Sequence, residues 1–388
     1  MEKIFEDTAT AFALKSDSEL ERAYFLFRLI ANEPLVRIGT AVTNFAINAH
    51  LPVDGLIRAT VFDHFCGGVN EEDCLPIIDT MFSKGVCSIL DYSVEGKETE
   101  TQFDFAVDKV LHVLDFVKEK KAIPFAVFKP TGFGRVALYE KKGTGEPLSE
   151  NEAAEWNRIV QRYHTVCKKA YDLDVALLID AEESWMQDAA DELAWQMMTI
   201  YNAEKAVIFN TAQLYRWDRL SYLESIHQKA RDAKIKVGIK LVRGAYMEKE
   251  NMRAKEHGKR SPICSSKKET DTNFDAAMEF MLDHLDTFSI FAGTHNERSS
   301  YRLMEAMGGK GLKPDDQRIW FGQLFGMSDH ISYNLAQKRY NVAKYLPYGP
   351  VRDVMPYLIR RAEENTSVAG QTSRELDLLK KERSRRKI

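Results

Sequence analysis

The chain has 388 residues, of which 44% are hydrophobic and 29% charged, and its formal net charge is −4. This composition can bury a large core in one domain with extensions, and we find no DNA-binding element, so we expect no nucleic-acid partner. No stretch approaches the roughly 20 apolar residues of a membrane span, and the first residues contain no apolar secretion signal. We therefore expect a cytoplasmic protein, with peripheral contact to the inner face of a membrane as the alternative.

The cysteines are odd in number and scattered, which favours reduced thiols over disulfides. His64, Cys66 and Cys74 lie close together in the sequence, but their spacing matches no zinc-binding template. We therefore expect core or surface roles for these side chains and no metal site.

Residues 1–85 are predicted to form a helical arm. Residues 18–30 have an apolar face with helical spacing and begin with Ser18, which we interpret as the capping residue. Similar patterns cover residues 34–48 and 53–65. Because this arm contains no chemical motif, we expect it to contribute to packing.

From residue 86 onward, short β-branched or aromatic runs alternate with longer amphipathic stretches. Repeated strand-helix units of this kind are typical of a closed parallel (β/α)8 barrel, which we assign to residues 86–370; a doubly wound sheet is the alternative. The predicted strands cover residues 86–92, 124–129, 174–180, 206–215, 237–246, 288–295, 319–325 and 341–348.

Charged and polar side chains stand at or just past the C-terminal end of each predicted strand. In a (β/α)8 barrel these positions converge on one mouth, where active sites are built. The side chains are Asp91, Lys129, Asp180, Gln213, Lys240 with Arg243, Thr294 to Asn296, Gln323 and Tyr345. The pattern therefore predicts an enzyme active site at this end of the barrel.

A helix starting at Pro356 would place four polar side chains on one face, at positions i, i+3, i+4 and i+7. They are Tyr357, Arg360, Arg361 and Glu364. Two adjacent guanidinium groups can bind a substrate carboxylate or phosphate through paired hydrogen bonds. The alternative is a solvated helix in which Arg360 pairs with Glu364.

The segment after the fifth predicted strand has cationic and small residues side by side. Lys240 and Arg243 precede Gly244 and Ala245, an arrangement that suits a pyrophosphate and an electron-accepting ring; the alternative is two cations that balance nearby carboxylates. The charged insertion over residues 247–270 follows directly, and we interpret it as a lid or a ligand-binding loop.

Residues 371–388 are predicted to form a charged C-terminal helix. Its last nine residues, 380–388, contain six basic side chains and one acidic side chain. We expect a frayed, solvated helix end, with contact to anionic lipid or nucleic acid as the alternative.

Five motifs resemble, in their order, those of the flavin-dependent proline dehydrogenase family. They are Asp180-Ala-Glu-Glu183, Lys240-Leu-Val-Arg-Gly-Ala-Tyr246, Gly293-Thr-His-Asn296, Phe321-Gly-Gln-Leu-Phe-Gly-Met327 and Tyr357-Leu-Ile-Arg-Arg-Ala-Glu-Glu-Asn365. The resemblance covers residues 86 to about 380 and is closest to the eukaryotic, monofunctional branch. It implies a distorted (β/α)8 barrel that holds FAD. It also implies oxidation of L-proline to Δ1-pyrroline-5-carboxylate by hydride transfer, with electrons passed to a quinone, as the first step of proline catabolism to glutamate.

The resemblance also implies roles for individual residues. Asp180, Lys240 and Lys129 are expected to be catalytic. The expected substrate-binding residues are Lys129, Tyr246, Tyr345, Tyr357, Arg360, Arg361 and Glu364, with the two arginines on the carboxylate, Tyr345 and Tyr357 over the ring and Glu364 orienting the arginines. The expected cofactor-binding residues are Ala181, Gln213, Lys240, Arg243, Gly244, Ala245, Tyr246, Thr294, His295 and Asn296.

Two positions depart from the bacterial pattern of this family. Lys240 stands where many members have arginine, which keeps the charge but loses the bidentate geometry. Gln323 is one residue out of register with the bacterial motif, which puts its flavin contact in doubt. We also consider a Lys129–Asp180 pair that tunes the substrate pocket.

Two other enzyme classes compete with this interpretation. A flavin barrel like that of methylenetetrahydrofolate reductase shares the architecture but has no need of paired arginines. A Schiff-base aldolase that uses Lys129 needs no flavin. A yellow purified protein would exclude the aldolase.

Overall fold

The structure is a computed structural model that describes residues 3–32, 34, 54–92, 98–360 and 371–388. Its strands pair in sequence order, β1 to β8, into a closed barrel, so the predicted (β/α)8 fold is confirmed. The strands are β1 (Val86–Tyr92), β2 (Phe125–Phe128), β3 (Ala176–Ile179), β4 (Ile208–Gln213), β5 (Val237–Val242), β6 (Phe288–Gly293), β7 (Ile319–Leu324) and β8 (Val342–Tyr348).

Helices alternate with the strands, as the sequence pattern predicts. Those of the described residues are α1 (Thr8–Ala11), α2 (Asp17–Ile30), α3 (Asp54–Ile57), α4 (Asp63–Phe65), α5 (Glu71–Phe82), α6 (Glu100–Val117), α7 (Val136–Gly143), α8 (Glu150–Asp172), α9 (Ser184–Tyr201), α10 (Arg219–Ala233), α11 (Met247–Glu256), α12 (Lys267–Asp283), α13 (Glu297–Gly309), α14 (Asp329–Gln337) and α15 (Gln371–Arg386). Residues 355–360 are also helical. Within these described segments, none of the helices has the length and apolar character needed to cross a membrane.

The chain divides into two compact units, one made of residues 1–95 with 322–388 and the other of residues 96–321. In the second unit β2, β3, β4, β5 and β6 pair in parallel, with Thr211 opposite Lys240. Phe125 packs edge to face against Phe209, Phe291 and Trp320, with ring centroids 5.1–5.8 Å apart. Each such pair contributes about 0.5–1.5 kcal/mol beyond the area that it buries. This aromatic core holds the strands that carry the site residues of this unit.

Gly238 on β5 is required by this packing. A Cβ atom at this position would lie 2.4 Å from Cγ of Phe209, closer than any side chain can tolerate. Because glycine adds no Cβ, Phe209 packs directly over the backbone of β5.

In the unit made of residues 1–95 and 322–388, β1 pairs in parallel with β8 from Val86 opposite Val342 to Tyr92 opposite Tyr348. Helix α2 begins with a capping box in which Ser16, rather than the expected Ser18, accepts from the backbone N–H of Glu19 at 3.3 Å. Of the predicted helix over residues 34–48, residues 35–48 lie outside the described residues.

The C-terminal helix α15 packs against the N-terminal segment instead of fraying. Leu379 is buried together with Phe12 and Leu20 of the N-terminal segment. Arg383 pairs with Glu21, and the Arg386 guanidinium lies 3.0 Å from the Asp17 carboxylate. The expected fraying was wrong, because the helix continues to Arg386 and packs through Leu379. The expected exposure is found at six of residues 380–388, among them Lys380 and Lys387.

Candidate active site

Residues 96–321 bring together a carboxylate and a cation that the sequence assigns to catalysis. Asp180 directly follows β3, and its backbone N–H donates to the carbonyl oxygen of Phe128 at 3.0 Å. Lys240 on β5 donates from Nζ to the Asp180 carboxylate, and the two side chains are 7% and 15% exposed. A pair this well buried is weakly screened by water. The ends of β3 and β5 therefore present a coupled pair rather than two separate charges.

Lys129 is half-buried where β2 ends. Its carbonyl oxygen accepts from the backbone N–H of Gly132 at 2.9 Å, which closes the tight turn Pro130–Gly132. The sequence suggests Lys129 as a partner for Asp180, and the structure adds Lys240 as a partner that the sequence analysis did not assign. The Lys129–Asp180 pair stays a prediction.

A residue that the sequence analysis did not assign, Glu182, connects the ends of three strands. Its carboxylate accepts from the backbone N–H of Thr131 at 2.8 Å and from the Thr131 hydroxyl at 2.7 Å. Its backbone carbonyl accepts from Nε2 of Gln213 at 2.6 Å. Burial raises the pKa of Glu182 to about 7, although the hydrogen bonds from Thr131 and the charge of Lys129 oppose this shift. The sequence signal that could have identified Glu182 is the pair of glutamates at positions 182 and 183, shortly after β3.

Gln213, an expected cofactor contact, is held in a defined orientation. Its side chain is buried at the end of β4, and its amide nitrogen donates to the Glu182 carbonyl oxygen. A carboxamide that donates in one direction presents its oxygen in the other. The structure therefore fixes which atom of Gln213 is available as an acceptor.

Two expected cofactor contacts, Arg243 and Thr294, bind each other. Nη1 of Arg243 donates to the Thr294 hydroxyl at 2.7 Å, and Nη2 donates to Ser299 at 3.0 Å. Nε of Arg243 donates to Asp271 at 2.7 Å, and the guanidinium lies 4.4 Å from the ring centroid of Phe274. Asp271 therefore balances the charge of Arg243, as the alternative interpretation of this segment expects. Since a guanidinium has five N–H donors, Arg243 retains capacity for a ligand.

Gly244 has a backbone conformation that favours glycine, with φ of +130°. A Cβ here would lie 2.5 Å from the ring of Tyr215. Gly244 and Ala245 are exposed, whereas Tyr246 is half-buried. The chain therefore offers accessible backbone beside two cations, as the small residues of this segment suggest.

Of the remaining expected cofactor contacts, Asn296 has a structural role of its own. Its side chain caps α13 by accepting from the backbone N–H of Ser299 at 3.2 Å. His295 and Ala181 are half-buried in the segments after β6 and β3. These positions agree with the predicted ends of the strands.

The insertion after β5 contains a helix, α11, that is anchored to its surroundings. The buried Glu250 carboxylate accepts from both the backbone N–H and the hydroxyl of Ser184, each at 2.6 Å. Arg253 pairs with Glu140 and lies over the ring of Trp185. These contacts hold α11 against the start of α9.

Residues 322–388 contain five of the seven expected substrate-binding residues. Tyr345 on β8 and Tyr357 are both buried, and Arg360 is half-buried. Tyr357 packs in a hydrophobic cluster with Phe65, Met327 and other apolar side chains. This packing anchors the short helix that presents Arg360 one turn later. Arg361 and Glu364 lie outside the described residues.

Gln323 accepts from the hydroxyl of Ser332 at 2.9 Å and is 2% exposed. This bond ties β7 to α14, which gives Gln323 a structural role in addition to any contact with a ligand.

All five cysteines are buried free thiols, and no metal-binding cluster occurs among the described residues.

The chain is similar to known proteins over most of its length. Residues 74–374 match the family model described as "Proline dehydrogenase". The chain is 36% identical over 334 residues to the carbapenem antibiotics biosynthesis protein CarD of Pectobacterium carotovorum subsp. carotovorum, covering 86% of each chain. It is 28% identical over 429 residues to mitochondrial proline dehydrogenase 1 of Arabidopsis thaliana, covering 98% of this chain and 86% of that protein.

Among solved structures, the chain is similar to proline utilization A (PutA) of Bdellovibrio bacteriovorus, inactivated by N-propargylglycine. The TM-score is 0.73 at 17% identity, and the match covers 95% of this chain but only 40% of that one. This similarity shows the fold and extends to less than half of PutA. The resemblance stated from the motifs is confirmed by the family model, and the chain belongs to the proline dehydrogenase family of oxidoreductases.

Proposed function

We propose that this protein oxidises L-proline to Δ1-pyrroline-5-carboxylate by transfer of a hydride to FAD, as the first step of proline catabolism to glutamate. The observation that carries the proposal is the match of residues 74–374 to the proline dehydrogenase model. The buried Asp180–Lys240 pair at the strand ends supports it, because it supplies the charged site that such a reaction needs.

The residues of the 96–321 unit fit a flavin dinucleotide. Lys240 and Arg243 are cations on one segment, and the exposed backbone at Gly244 has no side chain to obstruct a ligand. FAD supplies the hydride acceptor when bound. We propose as its contacts Ala181, Gln213, Lys240, Arg243, Gly244, Ala245, Tyr246, Thr294, His295 and Asn296.

Removal of a hydride from the carbon beside a secondary amine requires an oriented substrate and a dry pocket. We propose that Arg360 and Arg361 bind the proline carboxylate and that Glu364 orients them. Tyr345 and Tyr357 exclude water from the ring, and their burial supports that role. For Arg361 and Glu364 the proposal depends on the sequence motif alone.

Four residues of the 96–321 unit act around the reacting amine in this proposal. Lys129 lines the pocket and Tyr246 helps to position Asp180. The pairing of Asp180 with Lys240 holds the ammonium in place, where it stabilises negative charge that arrives with the hydride.

The electron acceptor that we propose is a quinone, which dissolves in membranes and therefore implies peripheral membrane contact by an otherwise cytoplasmic protein. The basic run at residues 380–388 gives this contact little support. Lys381, Arg383 and Arg386 pair with Glu6, Glu21 and Asp17 of the same chain. Cations neutralised in this way attract anionic lipid weakly.

The flavin spectrum of the purified protein, recorded before and after anaerobic addition of L-proline, tests cofactor and substrate together. We expect a yellow protein whose flavin absorbance bleaches. A colourless protein would favour the aldolase, and a yellow protein that NADH but not proline bleaches would favour the folate reductase.

Tyr345 is expected to select proline over 4-hydroxyproline. We propose that the large, buried ring of Tyr345 on β8 faces the substrate ring, where an added hydroxyl would be buried without a partner at a cost in binding. Reduction of a dye acceptor should be at least about tenfold faster with proline in kcat/KM. Tyr345→Ser should lower the ratio of kcat/KM for proline to kcat/KM for 4-hydroxyproline, whereas Tyr345→Phe should preserve that ratio. A wild-type preference for 4-hydroxyproline would refute the assignment.

A further inference from the structure

We propose that Glu182 is a positioning residue that holds the segment bearing Asp180, the turn after Lys129 and the carboxamide of Gln213 in one arrangement. The inference deepens the proposed function and rests on it, because these three residues are assigned to the site. Glu182 is 6% exposed and lies two residues after Asp180.

The first connection runs from Glu182 to the end of β2. Both carboxylate oxygens accept from Thr131, one from the backbone N–H and one from the hydroxyl. Thr131 lies within the tight turn that starts after Lys129. A two-point bond between residues 51 apart in the sequence fixes this turn against the end of β3.

The second connection runs through the backbone of Glu182. Its N–H donates to Oε1 of Gln187 at 3.0 Å, and Nε2 of Gln187 donates to Asp191 at 2.7 Å. Asp191 is itself buried and accepts from Arg219 at 2.8 Å. This network anchors the segment to α9 and α10. The Glu182 carbonyl, held at the other side of the same residue, then fixes the amide of Gln213.

The protonation state of Glu182 changes its charge but preserves these bonds. A backbone N–H can only donate, so the oxygen facing it accepts in either state, while the bond to the Thr131 hydroxyl can reverse. The ionisable groups that interact with Glu182 are Lys129 after β2, Glu183 beside it, and the buried tyrosines of α7 and α8, Tyr139 and Tyr163. Glu182→Gln can keep both bonds to Thr131 but has no charge. This variant therefore distinguishes the positioning role of the side chain from an effect of its charge.

Two variants of the full-length, flavin-containing protein test the proposal. Glu182→Ala removes both bonds to Thr131, so we expect kcat to fall by at least about tenfold, with KM for proline within about threefold and an altered absorption spectrum of the bound flavin. Glu182→Gln should keep kcat within about threefold of the wild type and leave the spectrum unchanged. Wild-type kcat and spectrum in Glu182→Ala, or an equal loss in both variants, would overturn the proposal.

Thermal melting supplies a readout that does not depend on activity. A carboxyl whose pKa is raised by folding stabilises the fold at low pH, and this stability is lost as pH rises through about 7. Glu182→Gln should therefore melt about 5 °C above the wild type at pH 8.5 and close to it at pH 5. Glu204→Gln, at an exposed position between α9 and β4, is the control and should melt as the wild type does at both pH values. An unchanged pH dependence of melting in Glu182→Gln would contradict the buried placement.

If Glu182→Ala cannot be obtained as folded protein, Thr131→Val takes its place. This variant removes the hydroxyl bond to Glu182 and should lower kcat in part. A wild-type kcat in Thr131→Val would overturn the proposal. Failure of proline to bleach the wild-type flavin would refute the proposed function. The pH dependence of melting would still report on Glu182.

Discussion

Replacement of Arg360 by methionine is expected to lower kcat/KM for proline by about 10² to 10³-fold, because loss of a charged hydrogen bond to a desolvated carboxylate costs about 3–4 kcal/mol. Arg360 is half-buried on the helix that Tyr357 anchors in a hydrophobic cluster. Methionine keeps much of the length and apolar stem of the side chain but has no donor. For Arg360→Lys we expect a kcat/KM between those of the wild type and Arg360→Met, since lysine keeps the charge but lacks the planar guanidinium.

Pyrrolidine, which has the ring and amine of proline but no carboxylate, separates substrate binding from folding. If Arg360 binds the carboxylate, Arg360→Met should lose activity with proline and change little with pyrrolidine. Arg231→Met, at an exposed position on α10, is the matched control and should leave both activities intact. Equal losses with both substrates would assign Arg360 to the fold and refute its binding role.

The barrel could be predicted from the sequence because its strands are buried and rich in β-branched and aromatic residues. The predicted strand over 237–246 is four residues longer than β5, which ends at Val242. The excess belongs to the turn that carries Arg243 and Gly244. Pattern and propensity thus identify a strand well, but they do not separate its last residue from the site that follows it.

The contacts within the site depend on register and distance, which local pattern does not contain. Which cation meets Asp180 is decided by the pairing of β4 with β5, where Thr211 stands opposite Lys240. Glu182 and Glu183 look alike in the sequence, yet only Glu182 turns inward to Thr131. The ion pairs of the basic C-terminal run were missed because their partners lie some 360 residues earlier, as in the Arg383–Glu21 pair at a separation of 362.

Asp329→Ala is expected to destabilise the protein by about 3–5 kcal/mol, because it leaves a buried cation unpaired. The Lys344 side chain on β8 is 0% exposed, and its Nζ lies 2.9 Å from the Asp329 carboxylate. It also donates to the carbonyl oxygen of Met327 at 2.6 Å. Asp329 pairs in addition with Lys15 at 3.2 Å. The change in the free energy of unfolding is measured by urea denaturation.

The pH dependence and two further variants identify the buried charge as the cause. Burial opposes ionisation of Asp329, but the charges of Lys344 and Lys15 outweigh it and hold its pKa well below the usual range. This lowered pKa contributes stability above the unfolded value of 3.8, and the contribution is lost as pH falls through the folded value. The difference between wild type and Asp329→Ala should therefore shrink in acid.

The double variant Asp329→Leu with Lys344→Met should be more stable than Asp329→Ala, since it also removes the fully buried cation that Asp329→Ala leaves unpaired. Lys15 loses its partner Asp329 equally in both variants. Asp172→Ala breaks the exposed pair with Lys168 and is the matched control. It should leave the unfolding free energy essentially unchanged, because exposed pairs contribute little. If Asp329→Ala and Asp172→Ala both changed the unfolding free energy only slightly, the Lys344 ammonium would be stabilised by other groups. The ion pair with Asp329 would then not stabilise the loop between β7 and α14.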